Sequence, residues 1–338
     1  MYTSNQEAAA DYLRQANQAR AAQHFDKAIA LYQQVLKTDA SHAVAQASIA
    51  DLYFRQKQYG LAKDSYIAAM QLSPDNANIH FRLGRIADIQ SQLDDAKTYY
   101  THAIHIAPED FKPYQALGEL QFLQKQFTEA EGNYKKAMSL GCQIPTLPFK
   151  LGRIAQMDER HDEAIDYFEK AILLNPGNPH FQIALGDSYS LRKRYEEAKD
   201  CYTSAVESNP SLLAGYFKLG QANKNCGEIQ AARSHYERAL SINPNHKPSQ
   251  NALSALEIIS KHSASKAQTV QAYSQASQQT SHDLTTFNSN PDEHSAENEK
   301  PLSSSSAQYK ITPTHTDNIE PEPHPNGFVE KIWQRLFG

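Results

Sequence analysis

From residue 9 to residue 246 the chain repeats itself every 34 residues, seven times over, with no insertion or deletion. The units are 9–42, 43–76, 77–110, 111–144, 145–178, 179–212 and 213–246. A register kept this strictly means that each unit makes the same contacts with its neighbours, so the fold grows by stacking one small supersecondary element. A length of 338 residues then measures reach along a stack and not a number of globular domains.

Four positions of the period carry the packing. The eighth is always small (Ala16, Ala50, Gly84, Gly118, Gly152, Gly186, Gly220) and the twentieth is always alanine, from Ala28 to Ala232. The twenty-fourth is always aromatic: Tyr32, Tyr66, Tyr100, Tyr134, Phe168, Tyr202 and Tyr236. Alanine or Val35 fills the twenty-seventh. Small residues at eight and twenty let two antiparallel helices approach toward the lower end of the roughly 8–10 Å packing range, and the ring fills the space they leave. Five units place proline at the thirty-second position (Pro74, Pro108, Pro176, Pro210, Pro244), which ends the second helix because proline lacks an N–H.

This pattern resembles the tetratricopeptide repeat over residues 9–246. The resemblance implies an all-α, right-handed superhelical solenoid of helix-turn-helix repeats. It also implies a protein or peptide ligand in a concave groove lined by the first helix of each pair, at positions two, five, six, nine, twelve and thirteen. In this chain the sixth position alternates basic with small: Arg14, Ser48, Arg82, Ala116, Lys150, Ala184, Lys218. Phe81, Phe149 and Phe217 precede the last three bases, so the unit of duplication is a pair of repeats, 68 residues long. The ninth position alternates as well (Asp51, Arg85, Glu119, Arg153, Asp187), which fits neighbouring ninth positions paired with one another as ions.

The expected groove contacts are therefore Phe81, Arg82, Arg85, Phe149, Lys150, Arg153, Phe217 and Lys218. Against this stands the reading in which each phenylalanine is core and each base lies along it with its charge in water. The expected ligand is an extended, acidic and apolar segment with anchors about every six residues. A clamp for a carboxyl-terminal carboxylate, known in the resembled family, is only partly matched by Leu13, Asn17, Ser48, Asn78 and Arg82, so a chaperone-tail ligand is not expected.

Nothing in the sequence points to catalysis, a cofactor or a metal. There is no GxxxxGK loop, no strand leading into GxGxxG, no HExxH and no Cys/His set at zinc spacing. A similar superhelix precedes the catalytic region of some serine-modifying glycosyltransferases, but no segment of catalytic size follows it here. The functional expectation is a non-enzymatic scaffold or adaptor, with an accessory substrate-binding subunit of a separate transferase as the alternative. A formal charge of −5 gives no reason to expect nucleic acid. Cys142, Cys201 and Cys226 form no CxxC pair and are read as reduced thiols of a cytoplasmic protein.

The ends differ from the middle. No basic start or apolar run opens the chain as a secretory signal would, and Glu7 to Leu13 lead into the first helix. Pro145 and Pro148 fall in the first turn of repeat five, where a tilt without a break is expected. Residues 247–262 form a capping helix with Leu253, Leu256 and Ile259 on one side. From 263 to 325 few large apolar residues occur, the composition of a disordered linker. Residues 263–338 hold nine acids and five bases, a net charge of −4, and this acidic tail is itself one candidate groove ligand. Residues 326–338 form a short amphipathic helix with Phe328, Val329, Ile332, Trp333, Leu336 and Phe337 on one face. Its expected dock is a groove on a second protein, a membrane surface or the repeats themselves.

Overall fold

The computed structural model describes residues 2–261, with side chains from Gln6 onward, and the separate positions Thr269, Ile332 and Arg335. Among the described residues the protein is all α-helical, without a strand. Fourteen helices alternate as first and second members of seven pairs: α1 (Tyr2–Ala21), α2 (Phe25–Thr38), α3 (Ala43–Arg55), α4 (Tyr59–Leu72), α5 (Ala77–Ile89), α6 (Leu93–Ile106), α7 (Phe111–Leu123), α8 (Phe127–Ser139), α9 (Thr146–Met157), α10 (His161–Leu174), α11 (Pro179–Leu191), α12 (Tyr195–Ser208), α13 (Leu213–Asn225) and α14 (Ile229–Ile242). A fifteenth helix, α15, covers 247–261. The chain forms two compact units, Met1–Arg192 with α1–α11 and Lys193–Gly338 with α12–α15. The expected linker 263–325 and terminal helix 326–338 lie outside the described residues, apart from the three separate positions.

Pairs that lie within one unit close over their aromatic ring. Tyr32, Tyr66, Tyr100, Tyr134, Phe168 and Tyr236 are fully or almost fully buried. A Cβ added to Gly84, Gly118, Gly152 or Gly220 would lie 2.6–2.8 Å from the ring of Tyr100, Tyr134, Phe168 or Tyr236. Glycine at the eighth position is thus what lets the ring sit flush on the first helix. Repeats one and two manage with Ala16 and Ala50, buried in the same clusters as Tyr32 and Tyr66.

The connections show where the loop's polar groups go. His42, Asn76, Asp110 and Asn178, all at the thirty-fourth position, accept a backbone N–H from the first turn of the following helix. The carbonyls of Pro74, Pro176 and Pro244 meet the side chains of His80, Gln182 and Gln250, six residues on, at 2.8–2.9 Å. Repeat four lacks this proline and ends differently. Gly141 has φ +87°, its N–H donates to Met138 and that of Cys142 to Ala137, a Schellman closure that buries Cys142. Pro145 then caps α9, Pro148 is buried in its first turn, and α8 packs on α9 within the same unit.

Two ends depart from the expected boundaries. Helix α1 starts at Tyr2, well before residue 9, in a segment rich in good helix formers such as Ala8, Ala9 and Ala10. On α15, Leu256 is buried against Ala232 and Tyr236, with Ala252 and Leu253 beside it. Ile259, expected on that face, is exposed instead. The contact face runs through Ser249, Ala252, Leu253, Leu256 and Ser260, which leaves position 259 at its rim. No helix among the described residues is long and apolar enough to cross a membrane.

The turn inside each pair holds its fifteenth residue left-handed: Gln23, Lys57, Ser91, Lys125, Glu159 and Lys193 have φ of 58–61°, and repeat seven uses Gly227 at +84°. Side chains with a Cβ are strained there. Replacing Lys57 or Lys125 by glycine is expected to raise stability by about 0.5–1 kcal/mol, and Gly227→Ala to lower it by about 1 kcal/mol. Denaturant midpoints at unchanged slope measure both.

Candidate functional site

In the first unit the first helices stand side by side. Arg82 joins α5 to α3 through Asp51 at 3.3 Å, α5 touches α7 directly, Lys150 joins α9 to α7 through Glu119, and Phe149 lies 4.9 Å from Phe181 of α11. The row α3, α5, α7, α9, α11 is therefore one continuous surface.

On this surface the ninth positions do not pair with one another. Two acids pair instead with the sixth-position base of the next repeat, Asp51 with Arg82 and Glu119 with Lys150. Position nine of one helix stands level with position six of the next, an offset of about one turn, roughly 4.5 Å. The same bases lie over aromatic faces of the preceding repeat, Arg82 at 5.6 Å from Phe54 and Lys150 at 5.1 Å from Phe122. The Tyr66 hydroxyl donates to Asp51, and burial and then the Asp51 charge hold it well above the usual phenol range. Tyr134 is shifted the same way by burial and by Glu119.

Arg85 and Arg153 have a different setting. Both are exposed, and neither enters an ion pair within 4 Å. The level position on the next helix is Ala116 for Arg85 and Ala184 for Arg153, neither of which can answer a charge. Asp88, one turn beyond Arg85, has its pKa raised, chiefly by burial and further by Glu119, while the Arg85 charge partly offsets the rise. Arg153 has the neutral Gln156 at that place, which reaches Ser188 at 3.4 Å. The buried hydroxyls of Tyr100, in the repeat of Arg85, and of Tyr134, in the repeat of Glu119, have no hydrogen-bond partner, and the repeat of Arg153 carries Phe168, with no hydroxyl at all.

The three phenylalanines are half-buried and packed on their own repeat's ring: Phe81 on Tyr100 at 5.9 Å, Phe149 on Phe168 at 5.7 Å, Phe217 on Tyr236 at 5.8 Å and also edge-on to His246 at 5.2 Å. Lys218 is half-buried on α13 of the second unit. The thirteenth position, named among the groove positions from the resemblance, carries residues that were not among the expected contacts. Ile89, Leu123, Met157 and Leu191 end α5, α7, α9 and α11 and are 44%, 74%, 47% and 58% exposed. Each stands one turn beyond a ninth-position residue and on the same side of its helix, so Arg85 adjoins Ile89 and Arg153 adjoins Met157. The signal was present as four successive apolar residues at one position of the period.

Of the expected docking residues at the end of the chain, only Ile332 is described. It is helical and 4% exposed. Phe328, Val329, Trp333, Leu336 and Phe337 lie outside the described residues.

The acid–hydroxyl contact predicts a contrast between two tyrosines. Tyr66→Phe removes a donor from a half-buried carboxylate and is expected to cost about 1–2 kcal/mol, whereas Tyr100→Phe removes an unsatisfied hydroxyl and is expected to be neutral or stabilising. Thermal melts of the two variants measure this, and equal losses would contradict it.

Three family models described as tetratricopeptide repeat match the chain, one over 13–70 and 48–111, one over 155–219 and one over 214–246. Among solved structures, the C-terminal part of a TPR repeat-containing protein from Cytophaga hutchinsonii aligns with a TM-score of 0.60 at 15% identity, covering 71% of this chain and 99% of that one. YrrB, described as a TPR protein with an unusual peptide-binding site, aligns with a TM-score of 0.53 at 18% identity, covering 56% of this chain and 98% of that one. At these identities the likeness is one of fold. No curated protein sequence matches the chain.

Proposed function

Because this chain belongs to the tetratricopeptide repeat family, we propose that it is a non-enzymatic adaptor whose protein partner lies, as an extended segment, along the first-helix surface of α3–α11. The observation that carries this reading is the exposed stripe Ile89, Leu123, Met157 and Leu191. Four large apolar side chains held in a line on rigid helices form a patch of the kind that marks a protein-binding surface. The bases at the sixth position serve this surface indirectly, because Arg82 and Lys150 brace neighbouring first helices by holding Asp51 and Glu119.

The terminal helix 326–338 is the adaptor's second docking element. Support comes from Ile332, because a lone amphipathic helix leaves its apolar face open to water and 4% exposure requires a second surface against it. That burial favours this chain's own surface as the resting dock, from which a partner or a membrane surface competes the helix away. The long segment before the helix would let both docks be occupied at once, raising the local concentration of the two partners.

With the intact chain as bait in extract from its source cell, partners retained by the native surface are expected to be lost from the Ile89→Asp/Leu123→Asp variant. They should be kept by Leu61→Asp, which alters an exposed apolar residue on the second helix α4. An unchanged partner set on the double variant would place binding elsewhere. Trp333, the only tryptophan, reports the second dock. Its emission is expected to be blue-shifted in the isolated protein and to move red in Ile332→Asp; water-like emission in the native chain that shifts blue only with anionic vesicles would make the membrane the resting dock.

A further inference from the structure

The interfaces between successive first helices alternate in kind. At the steps from repeat two to three and from four to five, an acid at position nine meets a base at position six: Asp51 with Arg82, Glu119 with Lys150. At the steps from three to four and from five to six, Arg85 and Arg153 stand at position nine, and the sixth position of the next repeat is Ala116 or Ala184. In the second kind the base stands at position nine, and the alanine at position six brings no carboxylate to it. The ninth-position acids of α3 and α7 are already engaged by a base, while the ninth-position arginines of α5 and α9 are exposed and have no ion pair within 4 Å.

We infer that the partner supplies the missing acids: the first-helix surface binds an extended peptide carrying two carboxylate side chains six residues apart, one for Arg85 and one for Arg153, with apolar side chains between them against Leu123. The inference rests on the adaptor reading and adds to it the chemistry and spacing of the ligand. The two arginines are two helix steps apart, roughly 16–20 Å at 8–10 Å per step. An extended chain advances about 3.3 Å per residue, so five or six residues span that distance. Alternate side chains of an extended segment point to opposite faces, so two acids on one face need an even separation, which selects six. Between them the segment crosses α7, where Leu123 is the most exposed residue of the stripe. The guanidinium fork suits a carboxylate better than a lysine would, because it can offer two parallel N–H donors.

The two sites differ in one respect that sharpens the test. Asp88 shares its surroundings with Arg85 and partly offsets its charge, whereas Arg153 has only Gln156 at the equivalent place. Arg153 is therefore the stronger anchor.

The experiment is a fluorescence-anisotropy titration of the intact protein with labelled synthetic peptides of twelve residues. One has glutamates six apart with leucines between them, a second has the same composition with glutamates three apart, and a third replaces both glutamates by glutamine. The six-apart peptide is expected to bind tightest. Each single substitution, Arg85→Gln or Arg153→Gln, should weaken it by roughly two- to fivefold, more for Arg153, and the pair by about tenfold. The effect should vanish with the glutamine peptide. Circular dichroism melts confirm that the variants are folded. If the Arg85→Gln/Arg153→Gln protein binds as tightly as the native one while Leu123→Asp abolishes binding, the charge inference is wrong and the adaptor surface stands. If none of these substitutions matters, or no peptide binds, both fail.

Discussion

The contact on which everything else rests is the aromatic ring at the twenty-fourth position seated on a first helix whose eighth residue is glycine or alanine. Where that residue is glycine, even one added carbon would come within 2.6–2.8 Å of the ring. The ring fixes how far apart two helices of a pair can stand, and the pair fixes where the next pair docks. An inserted residue in either helix would turn the ring off its seat by about 100°, at 3.6 residues per turn. That is the physical reason for seven units of identical length. It is also why the outer ends of the first helices, which take no part in this seat, were left free to differ.

Upon that uniform frame lies a second period of two repeats. Asp51 and Glu119 each collect a base from the following repeat, and the base in turn lies over Phe54 or Phe122. Such pairs are half-buried and well surrounded, so they join two repeats more firmly than exposed surface pairs would. One interface in two is therefore locked from within, and the alternate interface, at Arg85 and Arg153, is left for something outside the chain. The same residues that stiffen the surface decide which charges remain on it. A row of mixed charges thereby presents mainly its arginines, beside apolar side chains that water cannot satisfy.

The helix pairs, their core and the capping helix were legible in the sequence because they depend on residue size at fixed spacing. Ala28, Tyr32 and Gly84 need no partner information to be interpreted. The site was legible only in part. Phe81, Arg82, Phe149 and Lys150 stood out for their 68-residue recurrence, but recurrence cannot tell a side chain that waits for a ligand from one already held by a neighbour. That distinction depends on the one-turn offset between adjacent first helices, which sets position nine opposite position six. With the offset unknown, Asp51 pairs on paper with Arg85; in the structure it pairs with Arg82. The stripe from Ile89 to Leu191 was equally readable as letters and equally silent, since exposure at a helix end is a property of the stack. At the junction of repeats four and five the missing proline was plain, but the closure that replaces it depends on the left-handed conformation of Gly141.

The claim that binds these observations is that the protein neutralises its own groove acids and leaves Arg85 and Arg153 to a ligand. The most direct measurement is a crystal structure of the intact chain with the six-apart glutamate peptide. The account predicts the two glutamates on Arg85 and Arg153, the intervening leucines against Leu123, and the Asp51–Arg82 and Glu119–Lys150 pairs intact. A peptide whose glutamates instead displace Asp51 and Glu119 from Arg82 and Lys150 would contradict it.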